Sequence, residues 1–151
     1  MNARIYARNM LQGYREDDGL VLQSAADEQL LLHIPFQQSA RLSGIVIKST
    51  KVPESAPHVV KMFVNRPTIG FAEAMESDPT WKIELTEEQL RGDNPITLPV
   101  VKFRVVNCLT IFIESNIGDT DVSIVEKIVI VGESVQGMDI GSIKDISKEN
   151  S

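Results

Sequence analysis

The chain has 151 residues, 42% of them hydrophobic and 24% charged, with a net charge of −6. That length suits one domain, with enough surface to bury for a core that needs no disulfide or metal. The acidic balance argues against a nucleic-acid-binding face and against attraction to an anionic membrane, no run of about 18 apolar residues predicts a membrane helix, and the single cysteine, Cys108, excludes an intrachain disulfide or a Cys-x-x-Cys redox pair.

Residues 1–25 are read as a partly flexible lead-in. Arg4, Arg8 and Arg15 are its charged side chains before Glu16, a pattern with a faint likeness to a mitochondrial transit peptide. A short basic tail before the domain is the preferred reading, because the segment lacks serine and a clear amphipathic period. From Gln29 the pattern turns strand-like. Leu30 to Ile34 is a short apolar run expected to stop at Pro35, and Ile45-Val46-Ile47 lies in a second run after Gly44. Val59 to Val64 is predicted as a strand with Val60, Met62 and Val64 on one face. Phe71 to Glu76 suits one or two helical turns before Asp78-Pro79.

Trp81, Ile83 and Leu85 alternate with Lys82 and Glu84, the mark of a half-buried strand that places Trp81 inward. Thr86 with Gln89 three residues later fits a capping box, and Gly92 should end the short helix it starts. Val101, Phe103 and Val105 alternate with Lys102, Arg104 and Val106, and Leu109, Ile111 and Ile113 form a second alternating run. Asn107-Cys108 between them is expected to be a hairpin turn or a bulge. Asn116 to Asp121 reads as a turn-rich loop. Ile124 to Val131 is the last clear strand, ended by Gly132, and residues 136–151 form a C-terminal tail. About seven short strands with little helix predict an all-β antiparallel sandwich or jelly roll.

Catalytic constellations are weak. His33 and His58 are far apart in sequence, which does not suit a zinc site, and Cys108 opens an apolar strand, so it is expected to be a buried small hydrophobe. Ser134 lacks the second flanking glycine of a nucleophile elbow, since Gln136 stands there. Asp119-Thr120-Asp121 with Asn116 offers hard oxygens, but a solvated turn is the simpler reading. No cofactor, metal ligand or catalytic residue is assigned.

Several segments, in order, resemble the proteasome-interacting thioredoxin (PITH) domain. They are Asp27-Glu28-Gln29-Leu30-Leu31, then Val60-Lys61-Met62-Phe63-Val64-Asn65 with Pro67, then Phe71-Ala72-Glu73-Ala74 and Ile83-Glu84-Leu85-Thr86-Glu87. Val101 to Asn107, Leu109 to Ile113, Ser115-Asn116 with Gly118-Asp119, and Gly132 follow. Together they cover about residues 26 to 135, taken as the domain. The resemblance implies a galactose-binding-like β-sandwich and association with the proteasome regulatory particle, in cytoplasm and also nucleus. It is read as a PITH domain without the thioredoxin part, a protein-binding adaptor and not an enzyme. A jelly roll that binds glycans or small ligands is the alternative. Exposed loops are where contacts are expected: Asp27, Glu28, Arg66, Arg91, Asp93 and Asp119.

Overall fold

The computed structural model describes residues 5–7 and 22–135. Arg4, Arg8, Arg15 and the 136–151 tail lie outside the described residues. Nine strands are described: β1 (Ile5–Ala7), β2 (Leu22–Gln23), β3 (Leu30–Lys48), β4 (Val59–Val64), β5 (Trp81–Glu84), β6 (Ile96–Thr97), β7 (Val106–Ile113), β8 (Ile124–Val125) and β9 (Lys127–Ser134). One short α-helix, α1 (Phe71–Glu76), and three 3-10 turns complete them. The large sheet runs in the order β1-β9-β3-β7-β4-β5, with β6 also paired to β3, while β2 and β8 form a small separate ribbon. All pairings are antiparallel except β1 with β9. Two pieces of the 1–25 lead-in are thus strands of the fold.

β3 organises the sandwich. Its first part pairs with β7 from Leu30 opposite Ile113 to Pro35 opposite Cys108, and its second part pairs with β9 from Ala40 to Lys48. Pro35 therefore does not stop the strand, as its sequence context suggested. It has no N–H to give, so it sits where the regular β7 ladder breaks off, and the extended chain resumes at Ala40, opposite Val106 on one side and Ser134 of β9 on the other. Leu30, Leu32 and Ile34 from the first part share one core with Leu42, Ile45 and Ile47 from the second, which is what makes the folded sheet a sandwich. The shift between Leu42 and Gly44 resets the inward phase. Gly132 lies at this bulge inside β9, not at its end: a Cβ there would stand 2.5 Å from the carbonyl oxygen of Arg41.

Elsewhere periodicity and structure coincide. β4 spans Val59–Val64, with Val60 and Met62 in the main core and Phe63 on the opposite face. There Phe63 packs with Phe112, Ile69 and Ala74 beneath α1. Lys61, on that same face, is buried: its Nζ lies 2.9 Å from Glu114 Oε1, an ion pair outside hydrogen-bond geometry at that oxygen, and donates to Met75 O at 3.3 Å. Thr86 and Gln89 form the capping box, Thr86 N–H donating to Gln89 Oε1 at 2.9 Å and Gln89 N–H to Thr86 Oγ1 at 3.2 Å. Gly92 ends the turn with φ 76°, a left-handed conformation that suits glycine.

One region differs outright. Val100–Phe103 is a 3-10 turn, and Asn107-Cys108 lies within β7 and makes no turn. Phe103 alone of the expected inward trio is buried, at 0% exposure. It meets Trp81 edge to face at 6.4 Å, and Trp81 packs half-buried against the core. The alternation of Val101, Phe103 and Val105 is real in sequence, but Pro99 accepts from Lys102 N–H at 3.1 Å and tightens the chain into a turn.

Candidate interaction surfaces

Three loops converge near the Lys48 end of β3. Loop 49–57, the 86–92 turn and loop 116–121 enclose a groove of about 490 Å³. Its walls include Pro53, Ala56, Leu90 and Ile117, and Glu54, Glu87 and Arg91 bring charge to it. No aromatic side chain lines it, so a sugar would find no stacking face there. A second cleft of about 300 Å³ shares Arg91 and adds Glu88, Asp93, Pro95 and Ile96.

Two polar side chains beside the groove, Asn116 and Glu126, are bound within the protein. Asn116, buried, donates from Nδ2 to Thr120 O at 3.1 Å and Val122 O at 3.0 Å, and its Oδ1 accepts from Thr120 N–H at 2.8 Å. A neutral amide thus fills the centre of the 116–121 loop, whose hard oxygens offered a cation reading. Among the described residues no three histidine, cysteine or acidic side chains cluster as metal ligands would. Glu126 Oε2 accepts from the N–H groups of Thr50 and Lys51 and from Thr50 Oγ1. Burial pushes this carboxyl upward, but those hydrogen bonds and the nearby Lys48 charge outweigh it and hold the group below its ordinary value.

The six contact residues expected from sequence fall in separate places. Arg91 and Asp93 line one cleft, and Asp119, exposed with φ 57°, follows the Ile117-Gly118 wall of the groove. Asp27 closes a local turn by accepting from Gln29 N–H at 2.9 Å. Glu28 meets the 116–123 loop through its main-chain oxygen, which accepts from Ser123 Oγ. Arg66 lies past the other end of β4, stacked over Phe63 at 5.9 Å and paired with Glu73 at 3.3 Å. The expected sites therefore do not form one patch.

His33 and Ser134 have structural partners. His33 Nε2–H donates to Ile69 O at 2.9 Å, and Nδ1 is bonded to Thr110 Oγ1 at 2.8 Å, so both ring nitrogens are engaged. Ser134 Oγ donates to Gln38 Oε1. Cys108 is half-buried, not fully buried as its apolar neighbours suggested. It stands opposite Pro35, where β3 turns away and leaves it partly uncovered.

Sequence patterning missed a surface at the Arg66 end. Val100, Val101 and Val105 are 57%, 78% and 55% exposed, and Lys102 and Arg104 are exposed beside them. The available signal was electrostatic: between Asp93 and Glu114 these two cations are the only charged side chains in an acidic protein. Asn65, itself at φ 61°, clamps the segment. Its Nδ2 donates to Val105 O at 3.1 Å and its Oδ1 accepts from Asn107 N–H at 2.7 Å.

Residues 2–149 match the family model described as the PITH domain. The chain belongs to the PITH domain family. It is 32% identical over 143 residues to "Thioredoxin-like protein 1" of Schizosaccharomyces pombe, covering 91% of this chain and 49% of that protein. It is 36% identical over 105 residues to a PITH domain-containing protein of Drosophila melanogaster, covering 70% of this chain and 48% of the relative. To "PITH domain-containing protein 1" of Homo sapiens it is 31% identical over 104 residues, covering 69% and 48%. The chain spans about half the length of the curated relatives it matches. The PITH sandwich is a galactose-binding-like fold, and the observed β-sandwich agrees with the expectation from sequence.

Proposed function

We propose that this PITH domain is a non-catalytic protein-binding module that docks on the proteasome regulatory particle, in the cytoplasm and nucleus. The observation that carries this reading is the match of nearly the whole chain to the PITH domain, a family whose resemblance implies that association. The chemistry of the loops supports the non-catalytic half. An enzyme needs an acid, base or nucleophile free to meet a substrate in a cleft. Here Glu126, Asn116 and the His33 ring are engaged by main-chain and hydroxyl groups of the protein itself. The groove walls present side chains suited to contact more than to reaction.

Affinity purification of the tagged chain from cells, quantified against a tag-only control, tests the reading. Lid and base subunits of the regulatory particle are expected to be enriched. Recovery no greater than the control overturns the proteasome assignment for this protein.

A further inference from the structure

We propose that the exposed ridge from Val100 to Val105 is a docking surface for a partner-protein segment that carries acidic and apolar side chains together. The proposal rests on the binding-module reading above, but not on the proteasome as the partner. Single exposed apolar side chains are ordinary on a protein surface. Three exposed valines within six residues are a different matter, since they leave β-branched surface in water where a core strand was available in the sequence pattern.

The occupant follows from charge. The side chains of Lys102 and Arg104 lie between the valines and make no hydrogen bond or ion pair among the described residues. A partner with carboxylates spaced between apolar side chains answers both features at once, and complementary charge would speed its encounter. A basic partner would be repelled. The ridge is also held ready. Phe103 anchors it from below against Trp81, and Asn65 fixes Val105 and Asn107 from the side. Little backbone freedom then remains to be lost on binding, which favours affinity.

The test places the photo-crosslinking residue p-benzoylphenylalanine at Val101 in the full chain in cells, with the same residue at exposed Lys82 on β5 as control. The expected result is an adduct mapped by mass spectrometry to one partner segment in which Asp or Glu alternates with apolar residues. Adding Lys102→Glu and Arg104→Glu should lower its yield by about tenfold with the melting temperature unchanged. A synthetic copy of the mapped segment is then the probe: it should bind the purified chain, more weakly at high salt, and about tenfold less tightly to Val101→Asp. No adduct above the Lys82 control overturns the proposal. So does an adduct to a basic segment, to a second copy of the chain or to its own residues 8–21 or 136–151, or a yield indifferent to the charge reversals. If the mapped protein is not a proteasome subunit, the ridge stands, and the affinity purification alone decides the proteasome assignment.

Discussion

The two ends of the sandwich use similar residue types in opposite ways. At the groove end, polar side chains face inward to other loops: Asn116 holds the turn that follows β7, and Glu126 ties the chain after β3 to the β8–β9 junction. At the ridge end, Phe103 is buried while Val100, Val101, Lys102, Arg104 and Val105 beside it in the chain are presented to solvent. The lesson is that a concave shape and a docking surface need not coincide. The groove has the volume, yet the hydrogen-bonding groups beside it are largely committed to holding the loops. The ridge lines neither of these two clefts, yet its charges and methyl groups are uncommitted.

The contrast is broken most directly at Asn116. Replacing it with Ala leaves Thr120 N–H and the Thr120 carbonyl without their partner in a part-buried setting, while the Val122 carbonyl keeps Thr120 Oγ1. Each such orphan costs about 1–3 kcal/mol, so urea denaturation should show a loss of at least about 2 kcal/mol. Asn116→Asp keeps the volume but places a carboxylate against carbonyl oxygens, and should be at least as damaging. If both variants match the wild type, the loop network is not what holds the groove end together.

How much of this was legible in the sequence depends on what set each local structure. Strand β4, helix α1 and the Thr86–Gln89 capping box were readable because their signals are local: alternation, a short helical stretch before Asp78-Pro79, and two side chains three residues apart. β3 was read as two runs because its continuity depends on a change of partner at Pro35 and Ala40, which is a tertiary event. The 100–105 segment departs from its sequence pattern for a related reason. Its alternation is that of a strand, but no described strand pairs with it, and only Phe103 finds a core position. The expected contact residues were chosen as charged loop positions. That criterion finds Arg91 and Asp93 on one cleft but passes over exposed valines, which alternation assigns to a core.

A smaller effect should separate the ends by pH. The Glu126 carboxyl is held below its ordinary value of 4.5 in the folded protein. The unfolded chain therefore binds this proton more readily, and the group contributes stability that is full above about pH 4.5 and is lost as the pH falls through the lower folded value. Urea unfolding of wild type and Glu126→Gln from about pH 7 to pH 3 checks this. The difference between them should be constant at the upper end and shrink across the acid limb. A difference that stays constant to the bottom of that range would remove Glu126 from the account of the groove end.

The smallest expected effect is at Val101, and it bears most directly on the contrast. Val101 is 78% exposed, so little of its side chain leaves water on folding. Surface substitutions of this kind usually change stability by less than about 0.5 kcal/mol. Val101→Ser should unfold at the wild-type denaturant midpoint with an unchanged slope, while Phe103→Ala, one position beyond Lys102, removes a fully buried ring as an internal reference. The pair separates two explanations for the exposed valines. If Val101→Ser costs more than about 1 kcal/mol, the ridge contributes to folding, and its exposure is a poor guide to its role. If it costs nothing, the fold has no use for that side chain, as a docking role for the ridge requires.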